Sequence, residues 1–132
     1  MLQLADRGLD VIWTNREMRN HMATCVLIDG YLFGFDEAVL KCLLWKTGEV
    51  QWSQRGLGKG SLMAADGKLI VLSDGGELLV ADASREGFRP QARAKILNAQ
   101  NCWTVPVLVD GMIYCRSSLG QLVCLDVRVA ED

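Results

Sequence analysis

His21 is the one histidine in this chain of 132 residues, so any proton shuttle or imidazole metal ligand must be this side chain. A histidine works as a base or ligand only with partners: a carboxylate that orients the ring, or further Cys, His, Asp or Glu at ligand spacing. Neither stands in register with His21, which reads as a hydrogen-bonding loop residue. With a single histidine and no serine placed beside it, no Ser/His/Asp set can be assembled. Gly56-Leu57-Gly58-Lys59-Gly60-Ser61 approaches a phosphate loop in composition. It fails the Gly-x4-Gly-Lys-Ser/Thr pattern, and no helix follows to offer its N-terminus to an anion. It reads as the loop entering a strand. The five cysteines, Cys25, Cys42, Cys102, Cys115 and Cys124, are odd in number and contain no close pair and no Cys-x-x-Cys. A disulfide framework and a zinc site are both disfavoured. No catalytic residue and no metal ligand is expected.

The elements that carry these residues are strands. Asp-Gly opens three matching units, each time directly between two apolar runs, as Asp29-Gly30, Asp66-Gly67 and Asp110-Gly111, spaced by 37 and 44 residues; a further Asp74-Gly75 lies in the second turn of the middle unit. Asp-Gly in that setting marks a tight hairpin, because its backbone enters the positive-φ region that a turn between twisted strands requires. The three aspartates are turn residues, with side chains expected to cap nearby amides. A third run closes each unit: Leu40–Leu44, Leu78–Asp82 and Leu122–Asp126. Cys42 and Cys124 share one repeat position, where the middle unit has Val80, so both read as small buried hydrophobes.

A fourth strand follows in the first unit, where Thr47-Gly48 turns into Glu49–Arg55 around Trp52. Gln91–Leu97 takes that place in the second unit, without the tryptophan, after an insertion at Ser84–Pro90. Asp10–Arg16 carries the same element at the N-terminus, with Trp13 standing 39 residues before Trp52. The tally is an outer strand over 10–16, four-stranded units over 23–55 and 60–97, and an incomplete three-stranded unit over 103–128. Four antiparallel strands repeated at about 40 residues point to an all-β fold of β-propeller blades, about three of them.

Composition narrows function further. A formal charge of −2 gives no electrostatic case for nucleic acid or an anionic membrane surface. No apolar stretch reaches the ~20 residues of a membrane-spanning helix, so no membrane insertion is expected. Met1–Arg7 has neither the basic head nor the apolar core of a signal peptide.

The pattern of apolar run, Asp-Gly, apolar and aromatic residues, then Leu-x-Cys-Leu and Thr-Gly-x-x-x-Trp resembles the repeat of the pyrroloquinoline-quinone-like (quinoprotein-like) β-propellers. Gly30–Phe33, Leu40–Trp52, Gly111–Tyr114 and Leu122–Asp126 carry it. The resemblance covers nearly the whole chain. Asn20–Met22, Gly56–Ser61 and Cys102–Pro106 look like segments from the C-terminal part of exported bacterial proteins bearing PQQ-binding-like repeats. More distantly, the chain is similar to the propeller of the outer-membrane-protein assembly lipoprotein. The resemblance implies the periplasm or cell envelope as compartment. It also implies that the motif tryptophan docks between neighbouring blades, so the boundary after the second unit should be less regular. The dehydrogenases of this family hold a quinone with calcium, use a catalytic aspartate and, in many, join adjacent cysteines. No adjacent pair exists here, and the name describes a fold whose function does not follow from it.

Rings of the family resembled have about eight blades. A chain with strands for three is completed either by the remaining blades of a parent protein or by self-association. In the second case the strand over 10–16 finishes another copy's last unit, and a dimer closes a ring of six. The loops before each innermost strand gather at the ring mouth, where propellers bind ligands. Arg19, Asn20, His21, Lys59, Asn101 and Trp103 are therefore the expected contact surface. The reading is a non-enzymatic propeller segment serving as scaffold or protein- or peptide-binding surface, with no cofactor. The alternative is a fragment of a PQQ-dependent dehydrogenase-like protein, and only there do quinone and calcium enter.

Overall fold

A computed structural model describes residues 2–5 and 8–128, with side chains from Gly8 onward. Each of these three Asp-Gly pairs forms a two-residue turn with both residues at positive φ: 49° and 81° at Asp29-Gly30, 48° and 70° at Asp66-Gly67, 47° and 73° at Asp110-Gly111. Positive φ at both central positions matches the twist of the strands on either side. The aspartate carboxylates make no hydrogen bond among the described residues. Their contribution is tolerance of the left-handed region, in place of the amide capping expected of them.

These turns build three antiparallel sheets in which strand order follows chain order. The first holds β3 (Val26–Ile28), β4 (Tyr31–Asp36), β5 (Val39–Leu44) and β6 (Val50–Gln54). The second holds β7 (Ser61–Ala65), β8 (Lys68–Leu72), β9 (Glu77–Asp82) and β10 (Pro90–Lys95). The third stops at three: β11 (Val107–Val109), β12 (Met112–Arg116) and β13 (Leu122–Asp126). β1 (Leu2–Ala5) and β2 (Gly8–Val11) pair with each other as a separate hairpin. No helix is present among the described residues, and none is long and apolar enough to cross a membrane. The described residues form a partial β-propeller of three unclosed blades.

The sheets pack face to face, and one rung across each shows how. In the first, Val26, Phe33, Cys42 and Trp52 are paired neighbours. In the second, the same rung reads Met63, Ile70, Val80 and Ala92. In the third it reads Val107, Tyr114 and Cys124, with no fourth member. The first rung turns toward the second sheet, where Phe33, Phe35, Leu40 and Cys42 bury against Leu62, Leu69, Val71 and Leu79. The second rung turns toward the third sheet, joining Ile70, Leu72 and Leu78 to Ile113 and Cys115. The approach at the first boundary is close. A Cβ on Gly60 would sit 2.7 Å from Phe35 Cζ and 2.5 Å from the Leu72 carbonyl oxygen, so only glycine fits.

Trp52 seals that boundary. Its indole lies 6.1 Å from the Phe33 ring and 6.2 Å from Phe88, and its N–H donates to the Ser84 carbonyl at 2.8 Å. Trp13 makes the same bond one blade earlier, donating to the Trp45 carbonyl at 2.9 Å.

Three sequence expectations change. The N-terminal strand runs over Gly8–Val11 instead of 10–16, because Trp13 and Asn15 are drawn onto the first sheet, Asn15 Nδ2 donating to the Gly48 carbonyl at 2.8 Å. That strand is not a lone one, since β1 is its partner, and β13 has β12 as its sole sheet neighbour among the described strands. Cys124 is exposed while Cys42 is fully buried at the same repeat position. The reason is that no described sheet follows β13 to cover it.

Candidate functional site

The turn joining the second and third strands of each blade faces the loop that leads into the first strand. Backbone bonds knit them: Glu37 N–H donates to the Arg19 carbonyl at 3.0 Å, and Asp74 N–H to the Leu57 carbonyl at 2.9 Å. The Asp74 carbonyl in turn accepts from Cys102 N–H at 3.0 Å, linking the second blade to the third. These loops form one continuous face.

A single turn position sets the chemistry of each blade there. It is Asp36 in the first blade, Ser73 in the second and Ser117 in the third, all buried. The serines cap their own turns, Ser73 Oγ accepting from Glu77 N–H at 2.9 Å and Ser117 Oγ from Gln121 N–H at 3.2 Å. The carboxylate needs cations instead, because a buried charge is tolerated only when paired. Arg19 supplies a two-pronged bond, Nε to Oδ1 at 2.6 Å and Nη2 to Oδ2 at 3.2 Å. Lys41 Nζ reaches Asp36 Oδ2 at 2.7 Å and Glu17 Oε2 at 2.6 Å. The Arg19 hydrogen bond, assisted by Lys41, holds the Asp36 carboxyl far below the usual carboxylate range against the opposing effect of burial. For Lys41, burial works against the ammonium, but bonds to Asp36 and Glu17 outweigh it and raise its pKa.

The six residues expected at the mouth therefore separate. Arg19 is committed to Asp36, and Lys59 pairs with Glu37 at 3.1 Å. Asn20 is half-buried, with an Oδ1 that is enclosed and finds no hydrogen-bond partner among the described residues. His21, Trp103 and Asn101 come together. The His21 ring meets Trp103 edge to face at 5.7 Å, although the two belong to loops of the first and third blades. The Trp103 indole N–H donates to Asp74 Oδ1 at 3.0 Å, fixing it from the second blade. Beside them Asn101, held at φ 60°, and exposed Met22 line a depression of about 440 Å³ that Arg116 and Ser118 close.

The Asp36–Lys41–Glu17 network was not expected, and the sequence held one signal for it. Asp36 occupies a position that is serine in the other two units, and a charge at a buried turn position demands partners.

For acid–base chemistry, His21 has no hydrogen-bonded carboxylate among the described residues. For a metal, no group of three or more His, Cys, Asp or Glu is clustered among them. A calcium-bound quinone needs several hard oxygen ligands at one point. Carboxylates are not gathered in threes at any one point among the described residues. Burial pushes the Cys42 and Cys115 thiols up to about 11, which suits inert core residues.

No family model matches the sequence, and no curated protein matches it either. Solved structures do match. BamB from Moraxella catarrhalis superimposes with a TM-score of 0.66 at 17% identity, over 78% of this chain and 32% of that one. The quinohemoprotein alcohol dehydrogenase ADHIIG from Pseudomonas putida HK5 gives 0.63 at 16% identity, over 83% of this chain and 19% of that one. The fold is that of the PQQ-type β-propellers, and the chain spans a third or less of these two.

Proposed function

We propose that the chain is a non-enzymatic propeller segment whose loop face presents a docking surface to an extended peptide or protein. The observation that carries this reading is the His21–Trp103 pair beside exposed Met22 and Arg116. Loops from separate blades converge there on an apolar, aromatic and cationic patch, next to a depression with hydrogen-bonding walls. Tryptophan, methionine and arginine are the residues enriched where proteins meet. Shared anchoring by Asp74 holds Trp103 in place before a partner arrives, which reduces the ordering cost of association. Scaffolding by one blade face and capture of a segment by the mouth are compatible roles for the same array.

The alternative, part of a quinone-dependent dehydrogenase, draws on the likeness to ADHIIG and would require calcium ligands from outside these residues. One series of measurements separates the readings. Peptides selected from a random phage-displayed library on the wild-type chain should lose at least tenfold in affinity for Trp103→Ala and for Met22→Ala. Circular dichroism should show both variants folded. Peptides that bind the variants equally well would overturn the mouth as the docking surface. Pyrroloquinoline quinone with calcium should leave the melting temperature unchanged, because a ligand stabilises only what it binds. A rise would show that these residues themselves hold the quinone and would overturn the cofactor-free reading.

A further inference from the structure

Among the described residues the third blade has three strands, and the place of a fourth has a shape. The edge of β13 has no partner among the described strands. Beside it a groove of about 280 Å³ runs between β10 and β13, walled by Ala92, Ala94 and Ile96 on one side and by Ile113, Leu125 and Val127 on the other. In the second blade the corresponding place is filled by β10 itself. A free edge next to an apolar trough accepts an extended strand, whose backbone completes the ladder while alternate side chains enter the trough.

The same chain carries a strand suited to it. In the first blade the outer strand β6 is built around Trp52, whereas β2 stops at Val11, two residues before Trp13, and is paired with β1. A lone two-stranded hairpin is marginally stable in water. Leu9 and Val11 on β2 are 60% and 66% exposed, and Ile12 beside them is 44% exposed. β2 cannot serve its own β13. Trp13 is bonded to the Trp45 carbonyl at the leading end of the array, and two sheet-to-sheet interfaces separate that end from the third blade. In a second copy the restriction disappears.

We propose that β13 of one chain takes β2 of a second copy as its outer strand, with Leu9 or Val11 entering the groove beside Ala92 and Ala94. The exchange replaces the β1–β2 pairing by a β13–β2 pairing. It also lays the uncovered rung of Val107, Tyr114 and Cys124 toward the partner's first blade. The contact is heterologous, so two copies related by a closing rotation form a ring of six blades, within the four to eight that propellers use.

Light scattering on the purified 132-residue chain at micromolar concentration should report twice the chain mass. The Leu9→Lys, Val11→Lys double variant should raise the dissociation constant at least tenfold. It should keep the far-ultraviolet spectrum, because both side chains are exposed within one chain. A wild-type monomer would overturn the proposal. So would a dimer that survives the double variant but is lost in Leu122→Glu, which would place the contact on the sheet face alone. Release of monomer by a synthetic peptide of residues 8–16 would confirm β2 as the exchanged strand.

Discussion

At the boundary between the first and second blades, the repeat rung supplies Phe33, Cys42 and Trp52; one blade later the same positions hold Ile70, Val80 and Ala92. Both boundaries bury aliphatic side chains in the middle of the sheets, and they part at the rim. At the first, the Trp52 indole lies between Phe33 and Phe88 and ties its N–H to Ser84. At the second, the alanine leaves an open groove. The comparison teaches that the inner strands of this repeat make a blade, whereas the outer strand and its tryptophan make the joint between blades.

The largest effect is expected at the sealed joint. Phe33→Ala removes a ring that is 1% exposed and should cost about 4 kcal/mol by urea denaturation. Ile70→Ala, its counterpart, should cost about 3 kcal/mol. Equal losses, or a larger loss at Ile70, would break the comparison.

Next comes the buried, paired charge at the turn position, where the other two described blades have serine. Asp36→Asn leaves Lys41 buried with only Glu17 to balance it, and should cost about 3 kcal/mol. The serines at Ser73 and Ser117 have no such dependence. Because the folded-state pKa of Asp36 is depressed, its contribution is fully present above the ordinary carboxylate pKa of about 3.9. It is lost as pH falls below that value toward the folded-state pKa. The stability difference between wild type and Asp36→Asn should therefore shrink as pH falls below about 4. A difference that stays constant from neutral pH into acid would contradict the assignment.

Much of this was legible in the residues. The three Asp-Gly turns set the register of every blade, since a one-residue slip would send each apolar set to the wrong face. Trp52 and its absence at Ala92 foretold an uneven pair of joints. Other features depended on neighbours that one strand's pattern cannot name. Asp10–Arg16 alternates well enough to be a strand throughout, yet Trp13 and Asn15 bond to Trp45 and Gly48 and end the strand at Val11. Cys124 has the pattern of a core residue and is exposed because burial belongs to a face and whatever covers it. At the mouth, Arg19 and Lys59 look available by residue type, but Asp36 and Glu37 already hold them. His21 and Trp103, 82 positions apart, meet only because the array curves.

The most direct test exchanges the two joints. Urea denaturation of Trp52→Ala and Ala92→Trp, at one fixed protein concentration, compares filling with emptying. Trp52→Ala should lose about 3 kcal/mol, and Ala92→Trp, measured in the Leu9→Lys, Val11→Lys background where no partner strand fills the groove, should gain about 1 kcal/mol as its indole covers Ile113, Leu125 and Val127. A loss at Ala92→Trp, or no loss at Trp52→Ala, would show that the outer-strand tryptophan does not make the joint between blades.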